Sequence, residues 1–203
     1  MHNRIRWIHD RLSLFIPLTL AVIALFTWFG PAEKTLGDQL RLVLLHGAWV
    51  QTGKTLFALA GLVGLAALLG SARLHSWSRA LGWAGMIFWL TYLPMSLLVM
   101  QLNWGGLFFD EPRWQVPFTL AVVGLLLQGG LYVLQQPRLT SLGNLVFGAL
   151  LWLRLGLTQN ILHPDSPVAQ SGSASLQIYF ASLFLLVVLL ALQVTLWLKK
   201  KTP

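Results

Sequence analysis

Long apolar stretches separated by short polar ones run through the whole chain. Stretches without a charged residue cover Leu12–Ala32, Thr55–Ala72, Ala80–Phe109, Trp114–Pro137, Leu139–Leu153 and Ser166–Leu198. A helix needs about 20 apolar residues to cross a hydrocarbon core of about 30 Å. The pattern therefore predicts six membrane-spanning helices, near residues 12–30, 46–70, 81–102, 115–134, 141–159 and 176–197.

Short polar connections separate the predicted spans. Gly-Pro at 30–31, Gln-Pro at 136–137 and His-Pro at 163–164 mark breaks between helices, because proline disfavours a helical residue before it. We therefore expect an all-α, polytopic membrane protein, in which residues 1–203 form a single six-helix transmembrane bundle. We also expect a short aromatic segment on its outer surface.

The composition is that of a membrane protein. Of the 203 residues, 56% are hydrophobic and 10% charged, and the mean hydropathy is +0.70. Cysteine is absent, which excludes disulfides, cysteine-ligated metals, thiol catalysis and thioether attachment of a cofactor to this chain. The net charge of +8 does not indicate nucleic-acid binding, since the basic residues lie in short pieces between apolar runs. The first apolar run is too long for a cleaved signal peptide, and we expect it to remain as a span.

Basic residues concentrate on one side of the predicted spans. That side holds Arg4, Arg6, Arg11, Arg73, Arg79, Arg138, Lys199, Lys200 and Lys201, whereas the opposite loops hold Lys34, Arg41 and Arg113. Cytoplasmic loops carry an excess of lysine and arginine. We expect a prokaryotic inner-membrane protein with both termini in the cytoplasm and with its first, third and fifth loops outside.

The five histidines divide between the two sides. His2, His9 and His75 fall among the cytoplasmic arginines, and His46 and His163 are the two that face outward. Neutral imidazole is a usual ligand of haem iron, so the outward pair suggests a haem site. A histidine at the membrane surface can also be a plain polar anchor, and that interpretation stays open.

A zinc site is a less favourable interpretation of the same pair. Tetrahedral zinc sites use three or four protein ligands, and on the outer side only Asp110, Glu111 and Asp165 could complete one. A haem needs two axial ligands from the protein, which His46 and His163 can supply. The outward pair therefore favours haem over zinc, and a haem in this cysteine-free chain would be b-type.

The third loop reads LNWGGLFFDEPRWQ, residues 102–115. Its aromatic residues are Trp104, Phe108, Phe109 and Trp114. They have two interpretations: the interfacial aromatic belt of a membrane protein, or a short surface element that covers a flat apolar ligand.

Four cations on the outer side are candidates to bind haem propionates. They are Arg41, Lys54, Arg113 and Arg154. Charged residues within a span are costly and suggest a function. Snorkelling to the surface or contacts between helices would explain Lys54 and Arg154 equally well.

These residues resemble the CcmC family, haem-handling membrane proteins of cytochrome c maturation. RLVLLH at 41–46 resembles that family's R-x-x-x-x-H stretch, and NILHP at 160–164 resembles its N-x-L-H stretch. WGGLFFD at 104–110 takes the place of its tryptophan-rich "WWD" segment, with Leu107, Phe108 and Phe109 where the family has tryptophans. The family has six spans and two external histidines, and the similarity of topology extends over nearly the whole chain.

The resemblance implies that the protein holds haem between His46 and His163 and passes it to a haem carrier or an apocytochrome. It also implies partner subunits of a transporter-like export or maturation complex. We expect binding and transfer rather than catalysis by this chain. Two other classes stay open, a haem-bearing subunit of a membrane redox complex and an assembly subunit without a ligand.

Overall fold

The computed structural model describes residues 2–34, 36–159, 161–162, 168 and 171–201. In this part of the chain the fold is all-α and has six long helices. They are α1 (His2–Trp28), α2 (Leu40–Leu68), α3 (His75–Trp104), α4 (Pro112–Leu134), α5 (Pro137–Gly156) and α6 (Ala174–Lys201). A 3-10 turn, Ala72–Leu74, leads into α3.

All six helices are long and apolar enough to cross a membrane, which confirms the expected all-α, six-helix membrane fold. Their bounds differ from the predicted spans: α2 begins at Leu40 rather than near 46, and α3 begins at His75 rather than near 81. Hydropathy marks the part of a helix that can lie in hydrocarbon. Backbone hydrogen bonding continues the helix beyond that part, through charged residues such as Arg41 and Arg79.

The helix ends follow from local sequence. Pro112 and Pro137 stand in the first turn of α4 and α5, where the missing N–H costs nothing. Gly105 (φ 70°) ends α3 and Gln135 (φ 52°) ends α4, both in the left-handed conformation that closes helices. The break predicted at Gln-Pro therefore separates α4 from α5.

α2 is central in the bundle and packs against α3, α5 and α6. α1 packs on α6, and α4 packs on α3 and α5. One apolar cluster lies among α1, α2, α3 and α6 and includes Leu44 and Phe88. A second lies among α2, α3, α4 and α5 and includes Phe57 and Trp89. Many other apolar side chains are outward and exposed, as expected for a surface in contact with lipid.

A buried polar network joins four of the helices. Asn144 of α5 accepts a hydrogen bond from Nε2 of Gln128 in α4, at 2.7 Å. Its Nδ2 donates to the carbonyl of Ser78 in α3 at 2.8 Å, and the Ser78 hydroxyl donates to the carbonyl of Ala60 in α2 at 2.9 Å. Such bonds contribute about 0.6–2 kcal/mol each between membrane helices. They hold α2, α3, α4 and α5 in one arrangement.

Sequence-adjacent helices run antiparallel, so the connections lie alternately at two ends of the bundle. The first end carries loop 1 (residues 29–39), loop 3 (105–111) and loop 5 (157–173), and we call it the loop end. The other, which we call the basic end, carries both termini and two short connections. Nine of the 14 Lys and Arg fall in the half of the bundle toward the basic end, and four of the five Asp and Glu that the structure describes fall toward the loop end.

Candidate functional site

His46 lies near the start of α2, in contact with α3. Its half-buried ring is 5.5 Å from that of Tyr92, at an interplanar angle of 49°. Its Nδ1 atom is buried. Tyr92 is itself 2% exposed and lies 5.0 Å from the ring of Trp89. The imidazole is therefore set in an aromatic environment at the loop end.

The next turn of α2 fixes the register of this contact. Trp49 donates from Nε1 to the hydroxyl of Thr91 in α3 at 2.9 Å. Its ring also lies 4.9 Å from that of Phe88. The hydrogen bond and the ring contact hold α2 against α3 and so orient the side of α2 that carries His46.

Lys54 lies deeper in α2 and faces α5. Its Nζ is 4.6 Å from the centre of the Trp152 ring, a cation–π contact. The indole N–H of Trp152 donates to the backbone carbonyl of Lys54 at 3.1 Å. Arg113 lies in the first turn of α4. Of the four predicted propionate-binding cations, Lys54 is the one that the structure places against a tryptophan ring.

Arg41 and Arg154 stand apart from that pair. Arg41 donates from Nε to the carbonyl of Gly30 at 2.8 Å, and its guanidinium is 2.9 Å from a carboxylate oxygen of Asp38. These contacts brace loop 1 and balance the charge of Arg41 locally. Arg154 is exposed in the last turn of α5, where a cation stabilises the helix dipole.

The predicted aromatic residues in and beside loop 3 include an exposed pair in the loop and a buried residue at the start of α4. Phe108 is 42% exposed and Phe109 52%, whereas Trp114 is 7% exposed. Phe108 stands 6.1 Å from Trp104, and Phe109 stands 6.1 Å from Trp114. The backbone N–H of Phe108 donates to the sulfur of Met100 at 2.9 Å, which folds the loop back onto α3. The two phenylalanines therefore form an apolar surface, and Trp114 supports it from below.

His163, the second predicted ligand, lies outside the described residues. Leu162 is described, and its backbone N–H donates to Oε2 of Glu111 at 3.1 Å. This bond joins loop 5 to the start of α4, immediately before His163 in the chain. It brings loop 5 against loop 3 at the end of the bundle that also holds His46.

Glu111 contributes to the site in a way that the sequence did not predict. It is 3% exposed, and its Oε1 atom is buried with no hydrogen-bond partner among the described residues. The sequence indicated it only as a residue that could help to complete a zinc site. The sequence did contain a signal for this position. Pro112 favours the start of a helix, and Glu111 directly precedes it as the N-cap residue of α4.

Neither of two cavities, of about 450 and 460 Å³, is lined by a predicted site residue. One is an apolar groove beside Phe26 and Tyr179, and the other lies at the basic end beside His75 and Arg138. The described residues also contain no cluster of three His, Cys, Asp or Glu side chains suited to a metal ion.

No protein-family model, curated protein or solved structure matches the chain. The resemblance to the CcmC family therefore rests on the short sequence motifs and on the six-helix topology.

The residues at the loop end suit a haem in their chemistry. The imidazole of His46 can donate a nitrogen to iron. The cations Lys54 and Arg113 suit carboxylates, and the exposed rings of Phe108 and Phe109 suit an apolar macrocycle. Arg41, already paired with Asp38, contributes least to this set.

Proposed function

We propose that the protein is a haem-handling membrane protein of the cytochrome c maturation type. It holds b-type haem at the loop end, with His46 and His163 as the axial ligands, and passes it to a haem carrier or an apocytochrome. The observation that carries this proposal is the bond from Leu162 to Glu111. It attaches the segment next to His163 at the same end of the bundle as His46.

Each group at the loop end has a role in this proposal. His46, held against Tyr92, binds the iron from α2, and Lys54 with Arg113 neutralises the propionates. Phe108 and Phe109 shield the macrocycle from water. The bound haem supplies the redox-active iron that the receiving cytochrome needs.

The membrane setting defines the direction of transfer. The excess of lysine and arginine at the basic end supports a cytoplasmic location for both termini and, with it, a loop end outside the inner membrane. The haem is then handed over on the outer side. The lipid-exposed helix surfaces leave room for the subunits of a transporter-like maturation complex.

Absorption spectroscopy of the detergent-purified protein, expressed with ample haem, tests the proposal. We expect the Soret and α/β bands of a haem with two histidine ligands. His46→Ala and His163→Ala should each shift these bands and lower haem occupancy, because each removes one axial nitrogen. His75→Ala, at the basic end, is the matched control and should leave the spectrum unchanged.

Two results would contradict the proposal. A wild-type protein that carries no haem would rule out haem handling, and unchanged bands in both alanine variants would rule out the ligand pair. Release of haem to apomyoglobin supports a transfer role, whereas haem that does not exchange indicates a permanent redox cofactor.

A further inference from the structure

Glu111 is a buried carboxylate at the loop end. It precedes α4, and 3% of its surface is exposed. Removing a carboxylate from water costs several kcal/mol unless hydrogen bonds or opposite charges compensate. The contacts of the Glu111 side chain must therefore offset at least part of this cost.

The backbone of Glu111 is held firmly. Its N–H donates to the carbonyl of Phe108 at 3.2 Å, and its own carbonyl accepts from Trp114 at 2.8 Å and Gln115 at 3.0 Å. The first turn of α4 therefore fixes the position from which the side chain extends. The carboxylate makes no capping bond to the N–H groups of its own helix, so capping does not explain its burial.

The bond to loop 5 compensates part of this cost. Oε2 accepts the backbone N–H of Leu162 at 3.1 Å, across 51 positions of the chain. Oε1 is buried and has no hydrogen-bond partner among the described residues. A hydrogen bond to a charged acceptor is worth about 1.5–3 kcal/mol, which is enough to hold a loop segment in place.

We propose that Glu111 is a positioning residue that fastens loop 5, at Leu162, to the start of α4. Leu162 directly precedes the proposed ligand His163 in the sequence, so we expect the loss of this bond to alter haem ligation. The consequence for haem rests on the proposed function, whereas the fastening of loop 5 does not.

Spin labelling tests the fastening without haem. Because the chain has no cysteine, a single Leu162→Cys provides one labelling site and keeps the backbone N–H. We expect a restricted nitroxide spectrum in this protein and a clearly more mobile one when Glu111→Met is added, since methionine has a similar size but no oxygen acceptor. Glu111→Gln keeps an acceptor oxygen and should leave the label restricted.

The matched control is Gln115→Met, an exposed position on the same turn of α4. It should change neither label mobility nor thermal stability. Replacing a buried carboxylate by an apolar side chain of similar volume is often neutral or stabilising, so the Glu111→Met variant should fold. A label that is equally restricted with glutamate and methionine at position 111 would overturn the inference, whatever the haem measurements show.

A second measurement concerns haem and separates the two proposals. With haem bound, Glu111→Met should give a mixture of one-histidine and two-histidine absorption spectra, whereas Gln115→Met should match the wild type. If label mobility rises but the wild-type protein binds no haem, the fastening role is supported and the haem proposal is overturned. If the label becomes mobile and the haem spectrum is unaltered, Glu111 does not act on His163, and that part of the inference is overturned.

Discussion

Lys54 illustrates how a single charged residue is accommodated within a membrane helix. Its Nζ lies over the ring of Trp152, at 4.6 Å, and its backbone carbonyl accepts the indole N–H of the same residue. A cation–π contact contributes about 0.5–2 kcal/mol, so Trp152 offsets part of the cost of placing this cation in a membrane helix.

Lys54→Gln is expected to weaken haem binding about tenfold, which corresponds to about 1.4 kcal/mol, because one charged contact to a propionate is lost. The Soret maximum should not move, since both axial ligands remain. Haem titration followed by absorption measures both quantities, and a melting curve checks that the loss of the Trp152 contact has not unfolded the protein.

The control for this experiment is Lys34→Gln, which removes an exposed cation from loop 1 and should leave affinity unchanged. Equal losses in the two variants would show that net charge, rather than the position of Lys54, governs haem binding.

The close approach of α2 to α5 is the main feature at the scale of elements. A Cβ atom at Gly64 of α2 would lie 2.7 Å from the backbone oxygen of Ser141, and one at Gly148 of α5 would lie 2.7 Å from that of Phe57. Small residues let membrane helices pack backbone to backbone. Since α2 carries His46 and Lys54, and α5 carries Trp152, this interface sets the geometry below the candidate site.

Gly64→Ala is expected to lower the free energy of unfolding by about 1–3 kcal/mol, the usual cost of overpacking a tight interface. The added methyl group meets backbone and the hydroxyl of Ser78 at 3.0 Å, and backbone cannot yield as a flexible side chain would. Thermal melting in detergent, followed by tryptophan fluorescence, measures the change in the free energy of unfolding.

Gly130→Ala in α4 is the comparison, because a Cβ atom there meets nothing within 4 Å. It should alter the free energy of unfolding by less than about 1 kcal/mol, with alanine the better helix former. If both glycine variants lose the same stability, backbone flexibility rather than the α2–α5 contact would be the cause.

At the scale of the whole molecule, charge is distributed along the axis of the bundle. The basic end holds most of the 14 Lys and Arg, and the loop end holds four of the five Asp and Glu that the structure describes. Most of the net positive charge therefore lies at one end. Cytoplasmic surfaces of membrane proteins carry an excess of Lys and Arg, so this asymmetry supports the proposed orientation, in which the candidate site is outside.

Single cysteines in this cysteine-free chain test the orientation. Gln39→Cys, in loop 1, should react with a membrane-impermeant maleimide in intact spheroplasts. Ser71→Cys, in the short connection before α3, should react only after lysis. Both positions are exposed, so accessibility in detergent is the control, and the reverse labelling pattern would place the loop end in the cytoplasm.

The sequence predicted the fold more completely than the site. Six helices were expected because membrane crossing depends on apolar residues that are consecutive in the chain. The predicted helix bounds were less accurate. For example, α2 begins at Leu40 rather than near residue 46. We selected candidate ligands by residue type and by side of the membrane. Neither property predicts which other side chains a candidate contacts in the folded protein.

By itself, the sequence determined the all-α membrane fold, the number of long helices, the breaks at proline and the charge difference between the ends. All of these follow from local sequence: the length of each apolar run, the position of each proline and the charges in each connection. Only the tertiary structure decided that Arg41 binds Asp38 and Gly30, that Lys54 lies against Trp152, and that Glu111 is buried and holds Leu162. The last two connect residues far apart in the chain, and packing of the helices brings them together.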